Sequence, residues 1–266
     1  MDTKTLSEAK ILSEKIAAAY GSPPFYREQK DQIDASCCLM ENSPVVRTCI
    51  EILTASVNIS GHGLSHARKV AIDTGTIILI EGRSSGGGED LQRQVLLAHI
   101  AGILHDIQRS VKDHARQGAE EAGMILTRFD LTDEEREAVA NAIRNHEAFQ
   151  PCTPLAAPGG QLLSDALYDA DKFRWGPDNF TEMLWDIADT RDISMHTLLS
   201  YFPSGLQSLK KTRDTFRTKT GRQYGPGFID LGLRIGETLY TELGKQYVGN
   251  ATLHDDRQRS TTTEDS

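Results

Sequence analysis

Histidine and aspartate are concentrated in one part of this 266-residue chain. Six of its eight histidines lie between His62 and His146. The densest spot is His105-Asp106, which closes the apolar run from Val95 to Leu104. Leu91, Val95, Ile100, Ile103, Leu104 and Ile107 recur at helical spacing, so the pair sits where a buried helix meets the edge of a core. A carboxylate there is costly without a strong partner. A divalent metal satisfies an imidazole and a carboxylate together. The dipeptide alone says little, since His254-Asp255 repeats it in a polar tail. Context separates the two.

Around His105-Asp106, other candidate ligands fall on expected helices. His66 shares a face with Val70 and Ile77. His146 shares one with Val139, Ala142 and Ile143. Asp171 lies four residues after Leu167 and eight after Leu163, on an apolar stripe that leaves Asp169 on another face. His114 follows a polar connection. Each also has a structural reading: His66 as a helix-end histidine, His114 as a solvated loop residue, His146 as a satisfied core histidine. His99 points away from His105 on the same helix and reads as structural.

Five segments fall in order between Gly61 and Arg174. They are Gly-His-Gly-Leu-Ser-His-Ala-Arg-Lys-Val-Ala, Leu-His-Asp-Ile-Gln-Arg, His-Ala-Arg-Gln-Gly-Ala, Ile-Arg-Asn-His-Glu and Asp-Ala-Asp-Lys-Phe. Together they resemble the metal site of the HD-domain phosphohydrolase superfamily. The resemblance implies His66, His105, Asp106, His114, His146 and Asp171 as metal ligands. It implies Asp106 and Arg109 in catalysis, and His62, Arg68, Arg109 and Lys172 as substrate contacts. For Arg68 and Lys172 a solvated surface cation is an equal reading. The mixed imidazole and carboxylate set suits one or two ions of Mn, Fe, Co, Ni or Zn, with Asp106 placed to bridge two.

The expected activity is metal-dependent hydrolysis of a phosphate ester on a nucleotide-sized substrate, by water made more acidic by the metal. A diiron oxygenase on the same scaffold is the second reading, and a non-catalytic metal-binding signalling module the third. The resemblance does not choose the substrate. Cyclic-dinucleotide members carry Gly-Tyr-Pro after the His-Glu step, whereas here Ala148-Phe149-Gln150-Pro151 follows His146-Glu147.

The elements that must position these residues are helices, and the expected fold is all-α, a helical HD-domain bundle with extra N- and C-terminal helices. Helices are expected over about 4–20, from Ser43-Pro44 to about 59, over 64–80, 89–107, to about 128, from the Thr132 capping box to about 146, and over 161–173. Residues 178–200 continue helical, Tyr201 to Gly205 interrupts, and helices over about 206–218 and 227–247 follow. Residues 25–42 read as irregular or weakly helical. The domain expectation is an N-terminal helical extension over 1–42, an HD-type metal-binding domain over 43–200, C-terminal helices packed on the core over 201–248, and a disordered polar tail over 249–266.

Composition narrows the partners. The chain carries a net charge of −9, which disfavours a nucleic-acid polymer but not a small phosphorylated substrate beside a metal. Cys37, Cys38, Cys49 and Cys152 match no zinc-ligand spacing and read as reduced thiols of a cytoplasmic protein. Neither a signal peptide nor a membrane span is expected. A homo-oligomer is compatible with the sequence.

Overall fold

The computed structural model describes the backbone of residues 1–56, 63–82, 89–152 and 158–260, and side chains within these except at 89, 158 and 248–260. Every regular element among the described residues is helical. They are α1 (Thr3–Tyr20), α2 (Pro24–Glu28), α3 (Lys30–Glu41), α4 (Pro44–Ala55), α5 (Leu64–Gly82), α6 (Glu89–Leu104), α7 (His114–Leu126), α8 (Asp133–Arg144) and α9 (Pro158–Phe173). A π-helical turn (Asn179–Met183) then leads into α10 (Leu184–Thr190), followed by α11 (Met195–Thr212) and α12 (Lys219–Ser260). No helix among the described residues is long and apolar enough to cross a membrane.

Helix starts follow local chemistry. The Asp2 carboxylate accepts from the Thr5 amide, and the Ser43 hydroxyl accepts from Val46, with Pro44 in the first turn of α4. At α8 the capping box is complete, because Thr132 N–H donates to Glu135 and Glu135 N–H donates to Thr132.

The centre is the pair α5 and α6. Their axes come close because small residues face each other: a Cβ on Gly102 would lie 2.4 Å from Ala71 Cα. Further along the pair, His99 packs against Gly75 and reaches Ser36 on α3. Ser36 Oγ donates to the Ile72 carbonyl (2.8 Å), so His99 Nε2–H donates to Ser36 Oγ (2.9 Å). Burial lowers the His99 pKa to about 4, so the ring is neutral. His99 is therefore the structural histidine that its helix face suggested.

Two polar ties seat α9. Asp169 accepts from the Arg217 and Thr218 amides, each at 2.8 Å, and from the Thr218 hydroxyl at 2.7 Å, which anchors α9 to the start of α12. Arg174 bonds Asp73 of α5 and Tyr26 of α2, and also reaches Asp178. These buried charges are paired, as burial requires.

The structure departs from the sequence expectation in six places. Residues 24–41 form α2 and α3 rather than irregular chain. α4 ends at Ala55 and α6 at Leu104, so His105 and Asp106 lie in the turn just beyond the helix end. α11 runs through Pro203, and the break falls instead at residues 191–194. α12 starts at Lys219 and holds Pro226 inside it. Its backbone continues to Ser260, past residue 249 where polarity predicted a disordered tail.

Candidate metal centre

The six expected ligands converge from five helices and the turns at their ends. His66 comes from the first turn of α5, His105 and Asp106 from the turn after α6, and His114 from the start of α7. His146 follows α8, and Asp171 lies in the last turn of α9. They form two sets, each with its donor atoms within 4.8 Å of one another: His66, His105 and Asp171, and Asp106, His114 and His146.

In the first set His66 Nε2 lies 3.2 Å from His105 Nε2 and 3.4 Å from Asp171 Oδ1. In the second set Asp106 Oδ1 lies 3.5 Å from His146 Nε2 and 3.7 Å from His114 Nε2. Asp106 joins them, because its other oxygen, Oδ2, lies 3.4 Å from His105 Nε2 and 4.0 Å from His66 Nε2. One carboxylate thus turns one oxygen to each set.

Backbone carbonyls fix how two of the rings present themselves. His105 Nδ1 lies 2.8 Å from the Gly102 carbonyl, and His146 Nδ1 lies 2.6 Å from the Ile143 carbonyl. A carbonyl only accepts, so both Nδ1 atoms carry hydrogen and both Nε2 atoms face the site. On the other side, Lys172 Nζ holds Asp171 Oδ2 at 2.5 Å and leaves Oδ1 toward His66.

The donors fit a metal on three counts. Ligands 2.0–2.2 Å from a common ion lie about 3.0–3.5 Å apart, and several of the separations already fall there. Two imidazole nitrogens at 3.2 Å repel unless a positive charge, proton or metal, lies between them. Asp106 Oδ1 is buried with no hydrogen-bond partner, and a buried anionic oxygen needs one.

Electrostatics agree. Burial disfavours charge on Asp106 and Asp171, yet His105 beside Asp106 and Lys172 beside Asp171 outweigh it, holding both carboxyls well below the usual range. Burial lowers His66 and His114 and keeps those imidazoles neutral, the form that ligates a metal. His105 also feels burial, but the Asp106 charge overrides it and raises the ring.

Above the donors opens a cavity of about 380 Å³, lined by Asp106, His114, His146 and Asp171 together with Arg109, Lys172 and Arg191. Arg109 Nη1 donates to His114 Nε2 at 3.0 Å. Lys172 is buried, its ammonium 4.9 Å from the Trp175 ring centre. Among the described residues three that are not glycine have positive φ: Asp113 before His114, Phe149 in the cavity wall, and Asp192 after Arg191. Backbone in this region is strained and gathers at functional sites.

Residues 63–174 match the family model for the HD domain. This stretch of the chain is an HD domain. No curated protein and no solved structure matches the chain. HD domains are typically metal-dependent phosphohydrolases, and the cluster above could hold a metal. All six expected ligands lie within the matched HD stretch and are brought together. Lys172 and Arg109 line the cavity. Arg68 does not: two residues beyond His66 is about 200° around α5, and the side chain is exposed. His62 lies outside the described residues. Sequence reading missed Arg191, Glu147, Phe149 and Trp175 of the HD cavity wall. Glu147 Oε1 lies 3.7 Å from His114 Nδ1 and was signalled only by its place next to His146. Arg191 comes from the turn after α10, and no spacing rule connects it to the site.

Proposed function

We propose that the chain is a phosphohydrolase that cleaves a phosphate ester of nucleotide size with the help of two divalent ions. The observation that carries this reading is the divided Asp106 carboxylate, with one oxygen toward each imidazole set. His66, His105, Asp106 and Asp171 would hold one ion, and Asp106, His114 and His146 the other. Bound there, the ions supply Lewis acidity toward a phosphoryl oxygen and a more acidic water.

The remaining work falls to the protein. Arg109, Lys172 and Arg191 line one cavity and offer positive charge to a phosphoryl group entering it. The Arg109 guanidinium reaches the rim from one turn beyond Asp106, and its planar fork matches two phosphate oxygens. Lys172 holds Asp171 in register. Gly102 and Ile143 hold the rings of His105 and His146, so the donors are set before substrate arrives. The net charge of −9 favours a small phosphorylated substrate over a nucleic-acid polymer.

The same divided carboxylate suits an iron pair, which keeps an oxygenase as the second reading. The three cations around the cavity favour the hydrolase, and the complete donor set argues against a non-catalytic module. Metal analysis of purified protein, joined to a panel of phosphomonoesters and phosphodiesters, tests the proposal. Two equivalents of metal and metal-dependent phosphate release are expected. Oxygen-dependent turnover with no ester cleavage would replace the proposal with the second reading.

A further inference from the structure

Beside the cationic cavity lies a groove of different chemistry. Trp175 and Met183 line both. On their far side the groove encloses about 300 Å³, with Phe180, Leu198, Phe202 and Leu206 among its walls. Its shape comes from three local features. α9 ends just before Trp175, the π-helical turn carries Phe180 and Met183, and α11 runs unbroken past Pro203 to supply the opposite wall. Phe180 and Phe202 pack on each other in its wall, ring centres 6.0 Å apart. Tyr201 stands at the mouth, 68% exposed. Asn179 and Ser208 are the other polar side chains on the lining, too few to satisfy a sugar and a base. An apolar recess opening beside a polar reaction cavity is the usual make-up of a small-molecule site. The shared wall of Trp175 and Met183 sets the groove directly beside that cavity, which says which molecule enters it.

We infer that this groove is the subsite for an alkyl or aryl group of the substrate, whose phosphoryl group lies in the cavity over Asp106. The inference rests on the hydrolase reading and narrows it from any nucleotide-sized ester to one with an apolar organic part. A 150 Å³ apolar cavity holds the six carbons of benzene, so this groove of twice that volume holds up to about twelve.

The test uses the metal-loaded full-length protein and linear alkyl monophosphates from ethyl to decyl, with adenosine monophosphate as the polar comparison. KM should fall about threefold to fourfold per added methylene until the groove is full. Gly205→Phe blocks it: Gly205 lines the groove, and no atom lies within 4 Å of where its Cβ would be, so the ring has room without disturbing the fold. Gly205→Phe and the exposed-site variant Tyr201→Asp should each raise KM for octyl phosphate about tenfold or more and leave ethyl phosphate unchanged.

A second readout does not need turnover. The chain has two tryptophans, and Trp185 is fully buried, so Trp175 fluorescence reports octylphosphonate against ethylphosphonate. Tighter binding of octylphosphonate than of ethylphosphonate, with the difference lost in Gly205→Phe, upholds the subsite even if no ester is cleaved, in which case only the hydrolase reading fails. Equal KM for ethyl and octyl phosphate, or a clear preference for adenosine monophosphate, overturns the subsite. So does a wild-type dimer in sedimentation that Gly205→Phe dissociates, which would give the groove to a second copy of the chain.

Discussion

Asp106→Asn keeps the size of the side chain and replaces one ligating oxygen with an amide nitrogen that cannot ligate. The structure gives the consequence by counting donors. The oxygen that remains serves one set only: with the four-donor set around His66, His105 and Asp171 retained, the set around His114 and His146 falls from three donors to two. The second ion should be lost, so metal content falls from two equivalents to about one. Stability gives a second scale. An ion at a hundred times its Kd stabilises the folded protein by about 2.7 kcal/mol. At roughly 2–4 °C per kcal/mol for a chain approaching this size, each ion should raise Tm by about 5–11 °C. Differential scanning calorimetry with and without metal, paired with metal analysis, measures both. Taking the difference within each protein cancels any direct effect of the substitution. The wild type should show a rise of about 10–20 °C and Asp106→Asn half of it or less. A variant that keeps two equivalents and the full rise refutes the bridging role.

Arg109→Ala should lower turnover by about 10²-fold, the scale of losing one placed donor, with metal content undiminished because Arg109 is no ligand. Arg109→Lys should recover part of the loss, and unchanged turnover removes Arg109 from the mechanism. Gly102→Ala forces a Cβ to 2.4 Å from the Ala71 backbone, so α5 and α6 must part; urea denaturation should show a loss of about 3 kcal/mol or more. His99 makes a pH prediction for the metal-free protein. It stays neutral in the fold down to about pH 4, whereas unfolded chain takes up the proton near 6.5. The unfolded state binds more protons across that window, so stability is full above pH 6.5 and falls by about 3 kcal/mol toward pH 4. Between pH 7 and 4.5 the wild type should lose about 2–3 kcal/mol more stability than His99→Gln in denaturant titrations, and equal losses would reject the buried neutral ring.

What could be read from the sequence was local. The 3.6-residue pattern placed α5, α6, α8 and α9, and the apolar stripe through Leu163 and Leu167 chose Asp171 over Asp169. The structure gives Asp169 a different task, receiving the amides of Arg217 and Thr218 just before α12, which no pattern within α9 announces. Pro203 misled the reading because a helix-interior proline costs about 3 kcal/mol. In the fold, Leu198, Leu199, Phe202 and Leu209 are all buried by the same helix, and each contributes about 1.5–3 kcal/mol, enough to override it. Arg191, Phe149 and the groove beyond Trp175 are products of tertiary assembly. They join segments whose closeness depends on how α9, α10 and α11 pack, and periodicity within one helix carries no trace of it.

The spread of the donors along the chain sets an order in time. On the ribosome, Asp106, His114 and His146 have all been made once residue 146 is in place. The His66, His105 and Asp171 set waits for α9. α9 in turn is seated by Asp169 on the amides of Arg217 and Thr218, residues made later still. A nascent chain that ends before them holds histidines and carboxylates without the frame that aligns them. Metal loading therefore waits until Arg217 and Thr218 have been made, and a truncation just before Arg217 should be felt at a site whose last ligand lies far upstream.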